Sequence, residues 1–247
     1  GLTCLNFKIL PGFIAGYIAS FVIKFLEEKV PAGLDLIVII LVAAPLTYFI
    51  GDVTSPVVNG VLNTVGTVLI EASTASPIIM GIILGGLITV VATAPLSSMA
   101  LTAMIGLTGA PMAIGALSVF GSSFMNFVFF SKMKFGSKKD NIAVAIEPLT
   151  QADLISANPI PVYVTNFIGG AMSGVIIASM GLVNNSPGTA TPIAGLAVMF
   201  AYNPAIKVLI AAAGCILVSV ISGYIGYFIF KNKKILTADE IRNPQAA

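Results

Sequence analysis

Residues 77–107 read PIIMGIILGGLITVVATAPLSSMALTAMIGL. The run is almost wholly apolar and longer than the about 20 residues that one crossing of a hydrocarbon layer needs. Its polar interruption is Thr93-Ala94-Pro95-Leu96-Ser97-Ser98. A proline removes a backbone donor and frees a carbonyl of the preceding turn, which membrane-embedded backbone tolerates only beside protein or water. The stretch therefore predicts a broken helix inside a bundle. With it comes the fold class: an all-α membrane protein, a polytopic helical bundle with broken helices and re-entrant hairpins.

Composition agrees. Only 9% of the 247 residues are charged and 57% are hydrophobic, whereas a soluble domain carries roughly a quarter charged residues. Lipid is the expected main solvent, and the length allows about six to eight crossings with short loops. A formal net charge of +2, with the lysines clustered, offers no basic surface for nucleic acid. Cys4 and Cys215 lie in separate apolar neighbourhoods and read as packing residues, not as a disulfide or metal site. No metal or cofactor motif is found.

Further along the chain, residues 9–26 and 34–50 read as spans. Residues 57–70 place apolar Val57, Val58, Val61, Leu62, Val65, Val68 and Leu69 at helical spacing with Asn59, Asn63, Thr64 and Thr67 between them, which predicts an interfacial amphipathic helix. Residues 111–130 span and end at Lys132, Lys134, Lys138 and Lys139. Residues 142–157, with Glu147 and Asp153 beside Pro148, are too polar to face lipid and predict a re-entrant hairpin. Residues 160–182 span, 187–200 are short with polar ends, and 205–230 span before Lys231, Lys233 and Lys234. Both basic clusters belong on the cytoplasmic side by the positive-inside rule, which puts the C-terminus there. Residues 237–247 form a short cytoplasmic tail, with Thr237 and Glu240 at capping-box spacing. The sequence opens without Met or a signal peptide, and it reads as a fragment.

Ionisable groups in membrane segments are costly and mark pathways, so Glu147 and Asp153 lead the candidate site. The stretch Ala92-Thr-Ala-Pro-Leu-Ser-Ser resembles Ala145-Ile-Glu-Pro-Leu-Thr-Gln. Both set Pro-Leu and then a hydroxyl residue, Ser97 or Thr150, after the same alanine spacing. Broken helices in corresponding positions point to a transporter binding site. Two more breaks, Asn158-Pro159-Ile160-Pro161 and Asn184-Asn185-Ser186-Pro187-Gly188-Thr189, carry donors and acceptors suited to a polyhydroxylated solute. The substrate-binding set is thus Glu147, Thr150, Gln151, Asp153, Asn158, Thr93, Ser97, Ser98, Asn185 and Thr189. Gly81 with Gly85 and Gly170 with Gly174 have the small-xxx-small spacing of close helix packing.

In this order the segments resemble the membrane-embedded IIC component (EIIC) of the bacterial phosphoenolpyruvate-dependent sugar phosphotransferase system. The nearest branches are the fructose-type and the perfringolysin-regulator-like ones, and the resemblance runs from Gly12 to about Lys234. Asn158-Pro159, Ile168-Gly-Gly-Ala-Met-Ser-Gly174, Ser186-Pro-Gly188 and Tyr202-Asn-Pro204 follow the order of landmarks in fructose-type permeases. The family's sugar-contacting Gly-Ile-Thr-Glu motif falls on Val144-Ala145-Ile146-Glu147, which keeps only the Glu in register. The resemblance implies a permease-like domain over residues 1–236, two or three earlier helices, a homodimer, a sugar as solute, separate phosphocarrier subunits and a bacterial inner-membrane location. Family members usually also place a histidine near the substrate; this chain has none, and Thr189 or a neighbour stands there. Phosphoryl transfer needs a donor side chain on partner domains, so the chain is no phosphotransferase by itself.

Three functional classes follow as expectations. The first is a permease subunit for a sugar or similar small polar solute. The second is a membrane sensor that keeps the fold and has lost phosphorylation-coupled transport. The third is a proton-coupled carrier relaying protons through Glu147 and Asp153.

Overall fold

The computed structural model describes residues 9–31, 35–94 and 96–242. Cys4, Pro95 and the last five residues of the expected tail lie outside them. The described residues are helical, with an isolated antiparallel bridge between Gly109 and Asn184 and no named strand. The order is α1 (Ile9–Lys29), α2 (Asp35–Ser73), α3 (Pro77–Thr93), α4 (Ser98–Met104), α5 (Gly109–Met133), α6 (Lys138–Ile146), a 3₁₀ turn (Pro148–Gln151), α7 (Ala152–Ala157), α8 (Pro159–Met180), α9 (Pro192–Tyr202), α10 (Ala205–Phe230) and α11 (Ala238–Arg242).

The chain divides into a unit of residues 1–65 and one of residues 66–247. In the first, Tyr17, Phe21, Phe25, Ile40, Leu41 and Phe49 are exposed, as side chains that face lipid are. Tyr17 and Phe21 meet edge to face at 5.1 Å. The expected span over residues 34–50 and the separate helix over residues 57–70 are one continuous helix, because α2 runs unbroken through Pro45 and Pro56. Hydroxyl groups within it bond back along the same helix: Thr47 donates to the Ala43 carbonyl at 2.6 Å and Thr54 to Ile50 at 2.7 Å. Such back-bonding satisfies polar side chains inside a helix without an outside partner.

Among the described residues, four helical stretches are long and apolar enough to cross a membrane: Val38–Ser73, Gly109–Met133, Pro159–Met180 and Ala205–Phe230. Helices α3 and α9 are apolar but shorter. The chain is therefore an all-α polytopic membrane protein.

Within the second unit the two glycine pairs find each other. A Cβ on Gly81 would overlap the Gly174 backbone, and one on Gly85 would overlap the backbone of Gly170 and Gly174. Helices α3 and α8 thus touch main chain to main chain, the arrangement small residues permit where apolar burial gives no driving force between helices. Helix α5 packs against both, and α10 closes the group, with Gly121 against Ser219 and Cys215 and Gly226 against Thr165. Cys215 is fully buried and unpaired, as a packing residue should be. Beyond the glycine contact, Phe129, Phe130, Phe135, Val144, Leu154 and Ile155 form a core into which Ile235 and Ile241 of the C-terminal segment also pack.

Since Gly85 meets backbone that cannot step aside, Gly85→Val should destabilise the bundle by about 1–3 kcal/mol or more. Gly60, with open space around its Cβ position, should accept Ala within about 0.5 kcal/mol. Thermal unfolding in lipid nanodiscs compares the two; equal midpoints would contradict the packing.

Candidate functional site

Three interruptions of the helical pattern converge. The first follows α3, whose last turn closes with the Ala94 N–H donating to the Val90 carbonyl at 2.8 Å. Ser97 then takes φ 58° and ψ 92°, a conformation sparsely populated by non-glycine residues. Its hydroxyl caps α4 by accepting from the Ala100 N–H at 3.3 Å. Strained backbone of this kind persists where surrounding structure over-determines it.

The second break is at Glu147. Helix α6 begins in a capping box, with the Ser137 N–H donating to Asp140 Oδ2 at 2.8 Å and the Asp140 N–H to Ser137 Oγ at 3.4 Å. It ends at Glu147 because Pro148 disfavours helical backbone in the residue before it; Glu147 is extended at φ −149°, ψ 105°. The 3₁₀ turn folds back on this residue. The Leu149 N–H reaches Glu147 Oε1 at 3.4 Å, and the Thr150 N–H and hydroxyl both donate to the Glu147 carbonyl, at 3.0 and 2.8 Å.

The third break precedes α9. Buried Asn184 exchanges backbone hydrogen bonds with Gly109 at 2.9 and 3.0 Å. Its side chain donates to Thr189 Oγ1 and accepts from the Ser186 N–H, both at 2.9 Å. Gly188 takes φ 79° in the left-handed region, which favours glycine. The Ser98 hydroxyl donates to the Ala190 carbonyl at 2.7 Å, tying the third break to the first.

Ser97, Ser98, Glu147, Ala190, Thr191 and Pro192 all face one cleft of about 70 Å³. That is room for about two water molecules, against roughly 300–1,000 Å³ for a typical ligand pocket. A solute the size of a sugar needs the breaks to part. Behind the cleft wall, Thr93 donates to Asn166 Oδ1 at 2.9 Å and Asn166 Nδ2 to Asn126 Oδ1 at 2.9 Å, a fully buried line across α3, α8 and α5.

Of the expected site residues, Glu147, Ser97 and Ser98 come together. Thr93 turns to Asn166, Thr150 holds the Glu147 turn, and Thr189 belongs to the Asn184 network one residue before the cleft. Asn185 is exposed, and Asn184 makes the bonds instead. Gln151, Asp153 and Asn158 gather on the C-terminal segment. Arg242 Nε donates to Asp153 Oδ2 at 2.7 Å, Nη2 to Asp153 Oδ1 at 3.1 Å and to Gln151 Oε1 at 2.7 Å, and Nη1 to Asp140 Oδ1 at 2.7 Å. Asn158 donates to the Leu236 carbonyl at 2.8 Å and accepts from its N–H at 2.9 Å. Asn126 and Asn166 escaped the sequence reading, although an amide within an apolar span is a signal that would have found them.

The Arg242 hydrogen bond, joined by backbone donors and Arg242's charge, holds the Asp153 carboxyl below its ordinary 3.8. For Asp140, burial pushes upward, but hydrogen bonds from Ser137 and Arg242 outweigh it and the net direction is down. Depressed carboxylates contribute stability that is fully present above the ordinary value and lost as pH falls through the lower native one. Amide exchange of residues 236–242, corrected for intrinsic rate, should therefore stay level from about pH 8 to about pH 5 and rise only below the ordinary carboxylate range. A rise centred near neutrality would contradict these pairs.

No curated protein and no solved structure matches the chain. A family model described as "Phosphotransferase system, EIIC" matches residues 1–243. Helices fit to cross a membrane and a match over almost the whole sequence lead to one result: the chain belongs to the phosphotransferase-system EIIC family and is a permease-type integral membrane subunit of such a system.

Proposed function

We propose that the chain binds and translocates a sugar or similar polyhydroxylated solute in the cleft where the three breaks meet, with Glu147 as the principal acceptor for substrate hydroxyls. The convergence of Glu147 with Ser97, Ser98 and Thr191 supports this reading, because it sets one carboxylate among short hydroxyl groups in a half-buried wall. Neutral hydroxyl groups bonded to a carboxylate give charge-assisted hydrogen bonds, about twice as strong as neutral ones. The Ala190 carbonyl already serves as an acceptor for Ser98, and a substrate hydroxyl can take the place of that donor as the breaks part. Solute would pass by movement of the hairpin-bearing part relative to the glycine-locked pair, in the manner of carriers built on broken helices.

The location is read as the bacterial inner membrane, with both lysine clusters and the C-terminus on the cytoplasmic side. The contact of Lys132, from the first cluster, with Tyr224 of α10, the helix that runs into the second, supports a common side; Lys132 lies 5.2 Å from that ring centroid. The working form is read as a homodimer with phosphocarrier domains outside these residues. Phosphorylation would need those domains, since the chain has no His and Cys215 is buried.

The absence of His also favours one second reading, a membrane sensor that binds the same solute without passing it on. The proton-relay reading has less to rest on, because Asp153 is paired with Arg242 and not with Glu147.

Glu147→Gln should weaken sugar binding by about ten- to a hundredfold, the loss of a charged hydrogen-bond acceptor. A thermal-shift screen of neutral sugars against organic anions and nucleosides identifies the ligand class, since a bound ligand raises the melting temperature. Titration of the variant then measures the loss, and uptake into proteoliposomes with phosphocarrier extract separates permease from sensor. Unchanged binding in the variant would sink the proposed site.

A further inference from the structure

Arg242 is the last described residue of α11, and its contacts do not resemble those of a frayed end. Every nitrogen of its guanidinium has an acceptor, supplied from three consecutive elements: Asp140 in the first turn of α6, Gln151 at the end of the 3₁₀ turn and Asp153 in the first turn of α7. Glu147 lies between these acceptors, at the break separating α6 from the 3₁₀ turn. A planar, always charged fork suits such multi-point holding, whereas a lysine ammonium would not reach all three in fixed geometry.

The rest of the segment is fastened as well. The Asn158 amide pairs both ways with Leu236, the Ala238 N–H donates to the Phe135 carbonyl at 2.7 Å, and Ile235 and Ile241 pack on the aromatic core. Thr237 and Glu240 form the expected capping box, with the Thr237 N–H donating to Glu240 Oε2 at 2.7 Å and the Glu240 N–H to Thr237 Oγ1 at 3.4 Å.

From this we infer that Arg242 is a positioning residue for the Glu147 turn. The segment 236–242 clamps residues 138–157 at both sides of their break, so the docked tail fixes where the Glu147 carboxylate stands in the cleft. The inference deepens the site reading given above and rests on it for its functional part; the mechanical coupling of tail to turn does not need a substrate. Loosening the tail would loosen the carboxylate, and anything that displaces Arg242 from its three acceptors would tune solute affinity from outside the cleft.

Hydrogen–deuterium exchange of the full chain in lipid nanodiscs tests the coupling. Arg242→Gln should speed exchange across residues 147–157 by about tenfold, with Arg242→Lys restoring part of the protection. In uptake it should raise KM more than it lowers kcat, since it disorders a binding group. Should Arg242→Gln fail to fold, the pair Thr237→Ala and Glu240→Gln uncaps α11 and poses the same question. If residues 236–242 become freely exchanging while 147–157 keep their native protection, the inference is overturned. If Glu147→Gln leaves binding intact while Arg242→Gln still frees the turn, the site reading falls and the clamp stands.

Discussion

The contact of α3 with α8 is a constraint of space. Four glycines bring two backbones close enough that a single methyl group at Gly81, Gly85, Gly170 or Gly174 would overlap the other main chain. Everything in the second unit inherits that distance. Helix α5 lies against the pair, so Thr93, Asn166 and Asn126 come within hydrogen-bonding reach of one another. The end of α3 is fixed at the height where its chain breaks, and Ser98 reaches the Ala190 carbonyl from just beyond that break. Association in lipid rests on close packing and a few polar ties, and here the packing sets the position of the ties.

The cleft follows from chain chemistry laid over this frame. Pro148 ends α6 at Glu147, Ser97 bends the first break, and Gly188 supplies a left-handed residue in the third. Each is a local event, and only the close-packed bundle makes them neighbours. The C-terminal segment adds a second layer of support, outside the bundle and made largely of charge and amide pairs. The cleft is therefore held on one side by closely packed helices and on the other by a short segment whose restraint is polar.

The spans α5, α8 and α10, the broken helix after Thr93 and the break at Glu147 were legible in the sequence, because hydropathy and proline act locally. The glycine spacing announced close packing without naming the partner, since that depends on tertiary geometry. The continuity of α2 through Pro45 and Pro56 was not legible: proline weakens a helix without always ending it, and the intervening hydroxyl groups proved to bond within the helix. Asp153, Gln151 and Asn158 looked like site residues by type and by proximity to Glu147. Their partners, Arg242 and Leu236, lie far along the chain, and no local pattern reveals such a pairing. The family match leaves the solute open, because no residue type in the cleft discriminates among polyhydroxylated molecules.

Many hydroxyl groups in the bundle spend their hydrogen bonds on their own helix: Ser122 on Val119, Thr102 on Ser98, Thr165 on Pro161. A bond of that kind travels with the helix and is indifferent to what the neighbouring helix does. Rotating or sliding one helix past another then leaves these polar groups satisfied throughout, so the barrier to rearrangement comes from repacking apolar surfaces and from the small number of ties between helices. For the carrier movement proposed above, in a medium with no water to lend a spare partner, self-contained hydroxyl groups act as a lubricant written into the sequence.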